Sequence, residues 1–222
     1  MSHKNPRIPP ISITNPLIEN YCFEHSAQIP QELYEIEQYT KAHILAHRML
    51  GNHLQAHVLI TISKMLQPQK ILEIGTFTGY SSICLAQGLS PNGQFITIEK
   101  KAEFVRIAQR FFQKYNYSFI EIIHGDAFEV IKQLHTSFDL IYLDADKERY
   151  PQYLQILLAL LNKNGWLVVD NTLWKGLVVE PPKELITQSM QQFNDYLKQL
   201  EPRIYYTILP VKDGITLIQK IE

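Results

Sequence analysis

The sequence predicts an α/β protein with a doubly wound, mostly parallel seven-stranded sheet, N-terminal helices and an antiparallel edge hairpin. After Pro68, five short apolar segments rich in β-branched residues alternate with helical segments, as in sheets buried on both faces. Two more strand-like segments follow and meet at Lys212-Asp213-Gly214, which is a hairpin turn signal. The first third of the chain carries apolar residues at helical spacing.

The predicted elements follow one another with short connections. Pro and Asn spacing indicates an extended arm from Pro6 to about Tyr21, and helical periodicity covers Gln31 to Met49 and Leu54 to Leu66. Strands are predicted over residues 70–75, 94–99, 119–123, 138–144 and 165–170, with helices over residues 80–89, 101–115, 127–134, 150–161 and 183–200. The hairpin comprises RIYYTILPV and GITLIQKI. We therefore assign residues 1–30 to an arm and residues 31–222 to one domain.

Composition excludes several classes of protein. Of 222 residues, 45% are hydrophobic and 19% are charged, which is typical of a globular domain and excludes disorder for most of the chain. Twenty-one basic and 22 acidic residues leave a net charge of −1, so nothing favours nucleic acid or an anionic membrane as a partner. Two cysteines, Cys22 and Cys84, are too few for a disulfide framework. The start of the sequence lacks the apolar run of a signal peptide and no segment is long enough to span a bilayer, so we expect a cytoplasmic protein.

Acidic and amide side chains stand at the ends of the predicted parallel strands. In chain order they are Glu73 before Gly75, then Glu99, Asp126, Asp144 with Asp146, and Asp170 with Asn171. In a doubly wound sheet the carboxyl ends of the strands border the crevice where ligands bind. Because like charges repel, such a cluster favours a positively charged ligand at this edge.

The loop after the first strand, Gly75 to Ser81, favours a nucleoside ligand. It lacks the middle glycine of the dinucleotide-binding fingerprint, and Phe77 stands where the backbone would approach a pyrophosphate. S-adenosylmethionine, with its sulfonium and ammonium groups, suits the surrounding carboxylates better. Glu99 lies at about the 20-residue offset expected of an acid that binds ribose hydroxyls. A tight turn without a ligand, followed by a strand that merely ends at Glu99, is the alternative.

Two adjacent strand ends indicate a metal site. The segment LDADK places Asp144, Asp146 and Lys147 together, and VDN places Asp170 and Asn171 after the next strand. Oxygen ligands from Asp144, Asp170 and Asn171 are typical of magnesium, with calcium or manganese as alternatives, rather than zinc. A metal and a coordinated hydroxyl beside Lys147 would lower the pKa of this lysine toward use as a base. Either carboxylate taken alone is better explained as a helix cap.

These motifs resemble the cation-dependent O-methyltransferases of the caffeoyl-CoA and catechol type, and most of all the small bacterial members. The resemblance covers about residues 30–222 and is carried by LEIGTFTGYSS, FDLIYLDADKERY and VVDNTLWKG, while LPVKDGITLIQK resembles the closing hairpin of the family. It implies a Rossmann-like methyltransferase fold. It also implies transfer of a methyl group from S-adenosylmethionine to a hydroxyl of an ortho-dihydroxy aromatic molecule, with a divalent cation bound.

The resemblance assigns roles to individual residues. Those implied to bind S-adenosylmethionine are Glu73, Gly75, Thr76 and Ser81 at the methionine part, Glu99 at the ribose, Asp126 and Ala127 at the adenine, Asp144, Asp146 and Tyr153 along the wall, and Met49 and Gly51 from the helical third. Asp144, Asp170 and Asn171 are implied as metal ligands, with Lys147 as the base and Asp144 as the catalytic residue beside it. Trp174 either covers the aromatic substrate or anchors its own loop.

One segment, RMLGNHLQAH, departs from the family pattern. Asn52 and Ala56 stand where the family usually has a small hydroxyl residue and a glycine, and this change lies next to the expected contacts of Met49 and Gly51. Four histidines recur nearby: His43, His47, His53 and His57. Without the glutamate of an HExxH motif, we expect solvent-facing or packing roles for them rather than zinc binding.

The residues leave two other functions open. A nicotinamide-dependent oxidoreductase shares the fold, although the incomplete glycine pattern counts against it, and a nucleoside-binding protein without catalysis would need only the first loop. No basic stripe supports an RNA or protein acceptor. We therefore expect a small-molecule substrate, and the edge hairpin and apolar arm indicate a homodimer.

Overall fold

Helices flank both faces of a single sheet in the computed structural model, which describes residue 13 and residues 15–222. The helices are α1 (Pro16–Glu24), α2 (Gln31–His43), α3 (His53–Leu66), α4 (Tyr80–Ala86), α5 (Ala102–Lys114), α6 (Ala127–Val130), α7 (Tyr150–Leu160) and α8 (Leu185–Gln199). The strands are β1 (Lys70–Ile74), β2 (Gln94–Glu99), β3 (Ile120–His124), β4 (Phe138–Leu143), β5 (Leu161–Asp170), β6 (Ile204–Leu209) and β7 (Ile215–Lys220). Short 3-10 turns lie at His47–Met49, Ile131–Gln133, Lys147–Arg149 and Trp174–Val179.

The strands are ordered β3-β2-β1-β4-β5-β7-β6 across the sheet. The first five run parallel, and β7 runs antiparallel to both β5 and β6. The predicted doubly wound sheet with an antiparallel hairpin at its edge is therefore confirmed. From β1 the chain winds outward through β2 and β3 and then returns to β4 on the other side of β1. A reversal of this kind opens a crevice at the carboxyl ends of the strands.

Apolar layers on both faces fix the strands. On one face, Ile71 of β1 packs in the layer that contains Phe111 of α5. On the other face, Leu143 of β4 packs in the layer that contains Leu154 of α7 and Phe193 of α8. Each of these side chains is at most 1% exposed, and burial of one such side chain contributes about 1.5–3 kcal/mol. The strand ends that border the crevice are thus held in place from both sides.

The predicted extended arm is wrong for residues 16–21, which belong to helix α1. Asn15 caps this helix by accepting a hydrogen bond from the N–H of Leu17 at 2.9 Å, and Pro16 occupies the first turn. Proline is favoured there because its missing N–H would have no partner in the helix. The rest of the predicted arm, from Pro6 to Thr14, lies outside the described residues except for Ile13.

Other differences concern the ends of elements. The predicted helix from Gln31 to Met49 is divided into α2 and the 3-10 turn at His47–Met49. Strand β5 begins at Leu161, which pairs with Phe138 of β4, rather than at residue 165, and the register between the two strands shifts between Phe138 and Leu140. Within the described residues, no helix has the length and apolar character needed to cross a membrane.

Candidate active site

A cavity of about 320 Å³ lies where the strand order reverses, at the carboxyl ends of β1, β2 and β4. Residues from the segment 49–59, which leads into α3, close its other side. The residues predicted to bind S-adenosylmethionine line this cavity with one exception: Met49, Gly51, Gly75, Thr76, Ser81, Glu99, Asp126, Ala127, Asp144, Asp146 and Tyr153. Lys147 lines it as well, and the exception is Glu73. The structure therefore brings most of the predicted set into one cavity.

The loop after β1 depends on a glycine at position 75. The φ angle of Gly75 is 103°, in the region that favours glycine. A Cβ atom on this residue would lie 2.1 Å from the backbone oxygen of Asp144 at the end of β4. The loops after β1 and β4 can therefore approach each other only because residue 75 has no side chain.

Glu73 lies beneath the cavity wall rather than on it. Its carboxylate is fully buried and accepts hydrogen bonds from the hydroxyls of Ser81 at 2.6 Å, Thr97 at 2.7 Å and Ser82. Burial raises the pKa of Glu73 to about 7, with a smaller contribution from the charge of Asp144, while the three hydroxyls lower it. The sequence predicts a cofactor contact for Glu73; in the structure this residue does not line the cavity, and its carboxylate positions Ser81, which does.

Glu99 faces the cavity from the end of β2. Its carboxylate accepts hydrogen bonds from two backbone N–H groups, that of Phe77 at 2.9 Å and that of Lys101 at 2.8 Å. The residue is 7% exposed. A carboxylate fixed by the backbone of two loops can accept hydrogen bonds from ribose hydroxyls, the role that the sequence predicts for it.

Charged side chains form the rim of the cavity near β3. Asp126 caps α6 by accepting a hydrogen bond from the N–H of Phe128 at 3.0 Å, and it accepts another from the ammonium of Lys100 at 2.9 Å. The hydrogen bond from Lys100 is the main reason why the pKa of Asp126 is lowered. Arg149 lies 3.6 Å from Asp126 and 3.4 Å from Asp146, so it joins the loops that follow β3 and β4.

Asp144 and Lys147 form an ion pair on the cavity wall, in which Nζ donates to Oδ1 of Asp144. Burial lowers the pKa of Lys147, but the charge of Asp144 and this hydrogen bond outweigh burial and raise the pKa well above its ordinary value. The sequence predicts a lowered pKa for a lysine beside a metal. The protein by itself raises the pKa of Lys147 instead, because the nearest charge is the carboxylate of Asp144.

Asp170 ends β5, next to the end of β4, and is 2% exposed. Its Oδ1 accepts a hydrogen bond from the N–H of Asn171 at 2.8 Å. Its Oδ2 accepts hydrogen bonds from Nε2 of Gln55 and from the hydroxyl of Tyr142, the latter at 3.2 Å. Burial raises the pKa of Asp170 to about 6, and the charge of Asp144 adds to this effect, while two nearby lysines act against it.

The predicted metal ligands Asp144, Asp170 and Asn171 have the donor chemistry of a magnesium or calcium site. They occupy adjacent strand ends, since Leu143 pairs with Val169 in the parallel register of β4 and β5. The two carboxylates repel each other, as the raised pKa of Asp170 shows, so a shared cation would stabilise both. Among the described residues, no group of three His, Cys, Asp or Glu side chains forms a metal cluster, and the predicted set contains only two carboxylates and an amide.

Trp174 does not belong to the cavity lining in the described part of the chain. Its ring packs against the apolar layer that contains α7 and α8, and its Nε1 is buried without a hydrogen-bond partner among the described residues. The ammonium of Lys175 lies 5.0 Å from the ring centroid. Of the two predicted roles, these contacts favour the loop anchor.

The four histidines of the helical third contact their own surroundings. Nδ1 of His43 lies 2.9 Å from the backbone oxygen of Tyr39, and Nε2 of His53 lies 2.8 Å from the carboxylate of Glu37. His47 makes a similar contact with a backbone oxygen, and the ring of His57 packs near that of Phe23. These contacts agree with packing and solvent-facing roles.

Gln55, Tyr142 and Lys212 contribute to the site although the sequence analysis does not single them out. Gln55 stands on the buried face of α3 together with Ala56, Leu59 and Ser63. A long polar side chain on the core face of a helix must find a buried partner. The position of Gln55 on the apolar face of α3 is therefore the sequence signal that indicates such a partner. Tyr142 is indistinguishable from a core residue of β4 in the sequence, and Lys212 from an exposed turn residue.

Comparison with known proteins finds matches over nearly the whole chain. The sequence model of the O-methyltransferase family matches residues 23–221. Caffeoyl-CoA O-methyltransferase 2 of Petunia hybrida is 32% identical over 206 residues, which cover 87% of this chain and 85% of the relative. Probable caffeoyl-CoA O-methyltransferase 2 of Dictyostelium discoideum is 30% identical over 216 residues, with coverage of 94% and 93%.

Solved structures agree with these matches. The SAH-bound Podospora anserina methyltransferase PaMTH1 superposes with a TM-score of 0.86 at 29% identity, over 93% of this chain and 94% of the other. The O-methyltransferase from Bacillus cereus in complex with SAH superposes with a TM-score of 0.84 at 26% identity, over 92% and 97%.

Replacement of Gly75 by Ala should destabilise the protein through the backbone of Asp144. Gly176→Ala is the matched control, because Gly176 also has a positive φ, 75°, but a Cβ there would meet nothing within 4 Å. Both variants incur backbone strain, but only Gly75→Ala also meets a backbone atom of Asp144. We therefore expect Gly75→Ala to lose about 1–3 kcal/mol more in free energy of unfolding, the usual cost of overpacking. Urea denaturation measures both values, and equal losses would show that the close approach is not tight.

The raised pKa of Glu73 predicts a pH dependence of stability. Because the pKa in the folded protein, about 7, exceeds the ordinary value of 4.5, the folded state binds more protons than the unfolded state between these values. Stability should therefore fall as the pH rises from about 4.5 to 7, and Glu73 should contribute on the order of 3 kcal/mol to this fall, since each pKa unit corresponds to about 1.4 kcal/mol. Glu73→Gln should make the pH profile of urea denaturation flatter. An unchanged slope would contradict the assignment, because Asp170 titrates in both proteins.

Proposed function

Since this chain belongs to the O-methyltransferase family and is an S-adenosylmethionine-dependent O-methyltransferase, we propose that its acceptor is a small aromatic molecule with two adjacent hydroxyls and that transfer requires a divalent cation. The observation that carries the proposal is the pair of carboxylates, Asp144 and Asp170, on adjacent strand ends with Lys147 beside them. The relatives named as caffeoyl-CoA O-methyltransferases support an acceptor of this class.

The methyl donor would occupy the cavity at the carboxyl ends of β1, β2 and β4. Glu99 and the loop from Gly75 to Ser81 surround the place expected for the ribose and methionine parts, and Asp126 with Ala127 borders the place expected for the adenine. Carboxylates near the cavity attract the sulfonium and ammonium groups of the donor. The family match contradicts the two alternatives left open by the residues, a nicotinamide-dependent oxidoreductase and a nucleoside-binding protein without catalysis.

Asp144, Asp170 and Asn171 would hold the cation, most suitably magnesium. When bound, the cation supplies positive charge that lowers the pKa of an acceptor hydroxyl and fixes its orientation. Asp170 cannot move freely toward solvent, because three hydrogen bonds hold its buried carboxylate. The protein thus presents this ligand in a fixed position.

Lys147, which lines the cavity, would take the acceptor proton on its Nζ. In the ion pair with Asp144 this side chain is an ammonium, because its pKa is raised by that carboxylate. Lys147 can therefore lose its proton only if another positive charge balances the carboxylate of Asp144. This requirement is an electrostatic reason to expect activity to depend on a cation.

Apolar side chains from the 49–59 segment and from α5 limit the access of water to the reacting groups: Leu50, Ala56, Leu59 and Phe104. An anionic oxygen and a sulfonium lose their charges as they react, so a dry cavity favours the step.

A cytoplasmic location and a homodimer remain predictions of the sequence. The exposed apolar side chains of Leu17, Ile18 and Tyr21 on α1 support the second.

Methyl transfer to catechol-type acids and esters should require both the cation and Asp170. With labelled S-adenosylmethionine, we expect label in the product in magnesium and none in excess chelator. Asp170→Asn should lose the transfer that depends on magnesium, while binding of SAH remains measurable by calorimetry. Asp139→Asn is the matched control, because Asp139 is a β4 carboxylate at the opposite end of the strand, bonded to the N–H groups of Gln69 and Lys70. Equal transfer in chelator would refute the cation requirement.

Loss of the Lys147 amine should lower kcat with little effect on binding of the donor. Lys147→Met keeps the length of the side chain, and removal of a general base usually costs about 100-fold or more in rate. Lys132→Met is the control, since Lys132 pairs with Glu129 three residues away, as Lys147 pairs with Asp144, but neither Lys132 nor Glu129 lines the cavity. A normal kcat for Lys147→Met in a steady-state assay would exclude this lysine as the base.

A further inference from the structure

Gln55 connects three separate parts of the chain at the acceptor side of the site. It lies in the first turn of α3 and is 3% exposed. Its Nε2 donates to Oδ2 of Asp170 and to the hydroxyl of Tyr142, the latter at 3.2 Å. Its Oε1 accepts a hydrogen bond at 3.2 Å from Nζ of Lys212, which belongs to the turn between β6 and β7. Helix α3, the ends of β4 and β5 and the hairpin turn therefore meet at one side-chain amide.

The two charged partners determine which way this amide points. An ammonium group can only donate hydrogen bonds, and a carboxylate can only accept them. Oε1 must therefore face Lys212 and Nε2 must face Asp170, since the reverse orientation would place donor against donor and acceptor against acceptor. Without the ammonium, the oxygen of Gln55 would lose one of the two charged partners that select this orientation.

Lys212 also holds the segment that covers the cavity. Its Nζ donates to the backbone oxygen of Leu50 at 3.4 Å, and Leu50 lines the cavity. The neighbouring Gly51 packs on the same amide, because a Cβ there would lie 2.8 Å from Oε1 of Gln55. The position of the 49–51 segment and the orientation of Gln55 thus depend on the same ammonium group.

The hairpin turn is itself fixed to the loop that follows Asp170. The N–H of Leu173 donates to the backbone oxygen of Asp213 at 2.8 Å, and the N–H of Thr172 donates to that of Gly214 at 3.2 Å. The φ angle of Gly214 is 90°, and a Cβ there would lie 2.5 Å from Cγ of Leu173. Lys212 is therefore held in a defined place relative to Asp170.

We propose that Gln55 and Lys212 are positioning residues for methyl transfer: Lys212 orients the amide of Gln55, and Gln55 holds the carboxylate of Asp170 toward the acceptor. The proposal rests on the proposed function, in which Asp170 serves the acceptor side. In this arrangement neither residue touches the reacting atoms. The C-terminal hairpin becomes part of the acceptor site through a single lysine.

The test uses the full chain and a double-mutant cycle. Gln55→Met and Lys212→Met keep side-chain length but remove the hydrogen bonds, and each should lower kcat by about 10- to 100-fold, the usual effect of losing a residue that orients a metal-binding side chain. In Gln55→Met, which leaves the contact of Lys212 with Leu50 in place, the affinity for SAH measured by calorimetry should not change. Because both residues act through one amide, the double variant should be no worse than Gln55→Met alone. Lys212→Arg should restore most of the activity, since it restores a donor.

A control separates this role from a general effect on the hairpin. Lys220→Met removes another lysine of the hairpin, one whose Nζ donates to the backbone oxygen of Leu161 away from the cavity, and it should leave kcat unchanged. Normal kcat in Gln55→Met or Lys212→Met would overturn the proposal. Additive losses together with weaker SAH binding would also overturn it, because they indicate a structural role only.

A second readout does not depend on turnover. The backbone N–H groups of Met49 and Leu50 donate to the oxygens of Ala46 and His47, and in Lys212→Met their hydrogen exchange should become faster while exchange in β1 stays the same. Unchanged exchange would overturn the positioning by Lys212. If the unmodified protein methylates no ortho-dihydroxy acceptor, the proposed acceptor class fails, and the exchange result still decides whether Lys212 orders this segment.

Discussion

The burial of several carboxylates at one edge of a parallel sheet is the constraint on which the rest of the site depends. Glu73, Glu99 and Asp170 are each less than 10% exposed, and Asp144 adds a fourth negative charge at the same edge. A buried carboxylate is unfavourable by several kcal/mol unless hydrogen-bond donors or cations surround it. The loops after the strands, the start of α3 and the hairpin turn all supply such donors, and their positions follow from this need.

The kind of hydrogen-bond donor that contacts each carboxylate divides the site into two halves. On the side of β1 and β2, hydroxyls and backbone N–H groups of neighbouring loops donate to Glu73 and Glu99. On the side of β4 and β5, Asp144 depends on a lysine and Asp170 on an amide that a second lysine orients. Lysines thus compensate the two carboxylates of this half, the side on which the proposed function needs a cation and an acceptor.

The fold and the first half of the site could be predicted from the sequence because they depend on local patterns. Strands buried on both faces form continuous apolar runs, and the runs of β2 and β5 end at Glu99 and Asp170, which are residues of the predicted site. The sequence does not predict helix α1, because the Pro and Asn spacing from Pro6 onward suggests an extended chain, although Pro16 follows the capping residue Asn15 and begins the helix. Gln55 was missed because its partner Asp170 is 115 positions away, and only the folded sheet brings the two together.

The order of strands has a consequence for how the molecule is assembled during synthesis. The chain makes β6 before β7, yet β7 lies between β5 and β6, so β6 reaches the sheet only through a strand that emerges later from the ribosome. Lys212 lies in the turn between them and meets Gln55 only once that turn is docked beside Thr172. The contacts of Lys212 with Leu50 and Gln55 therefore form only after the hairpin has docked, and we expect catalytic competence to appear late in folding.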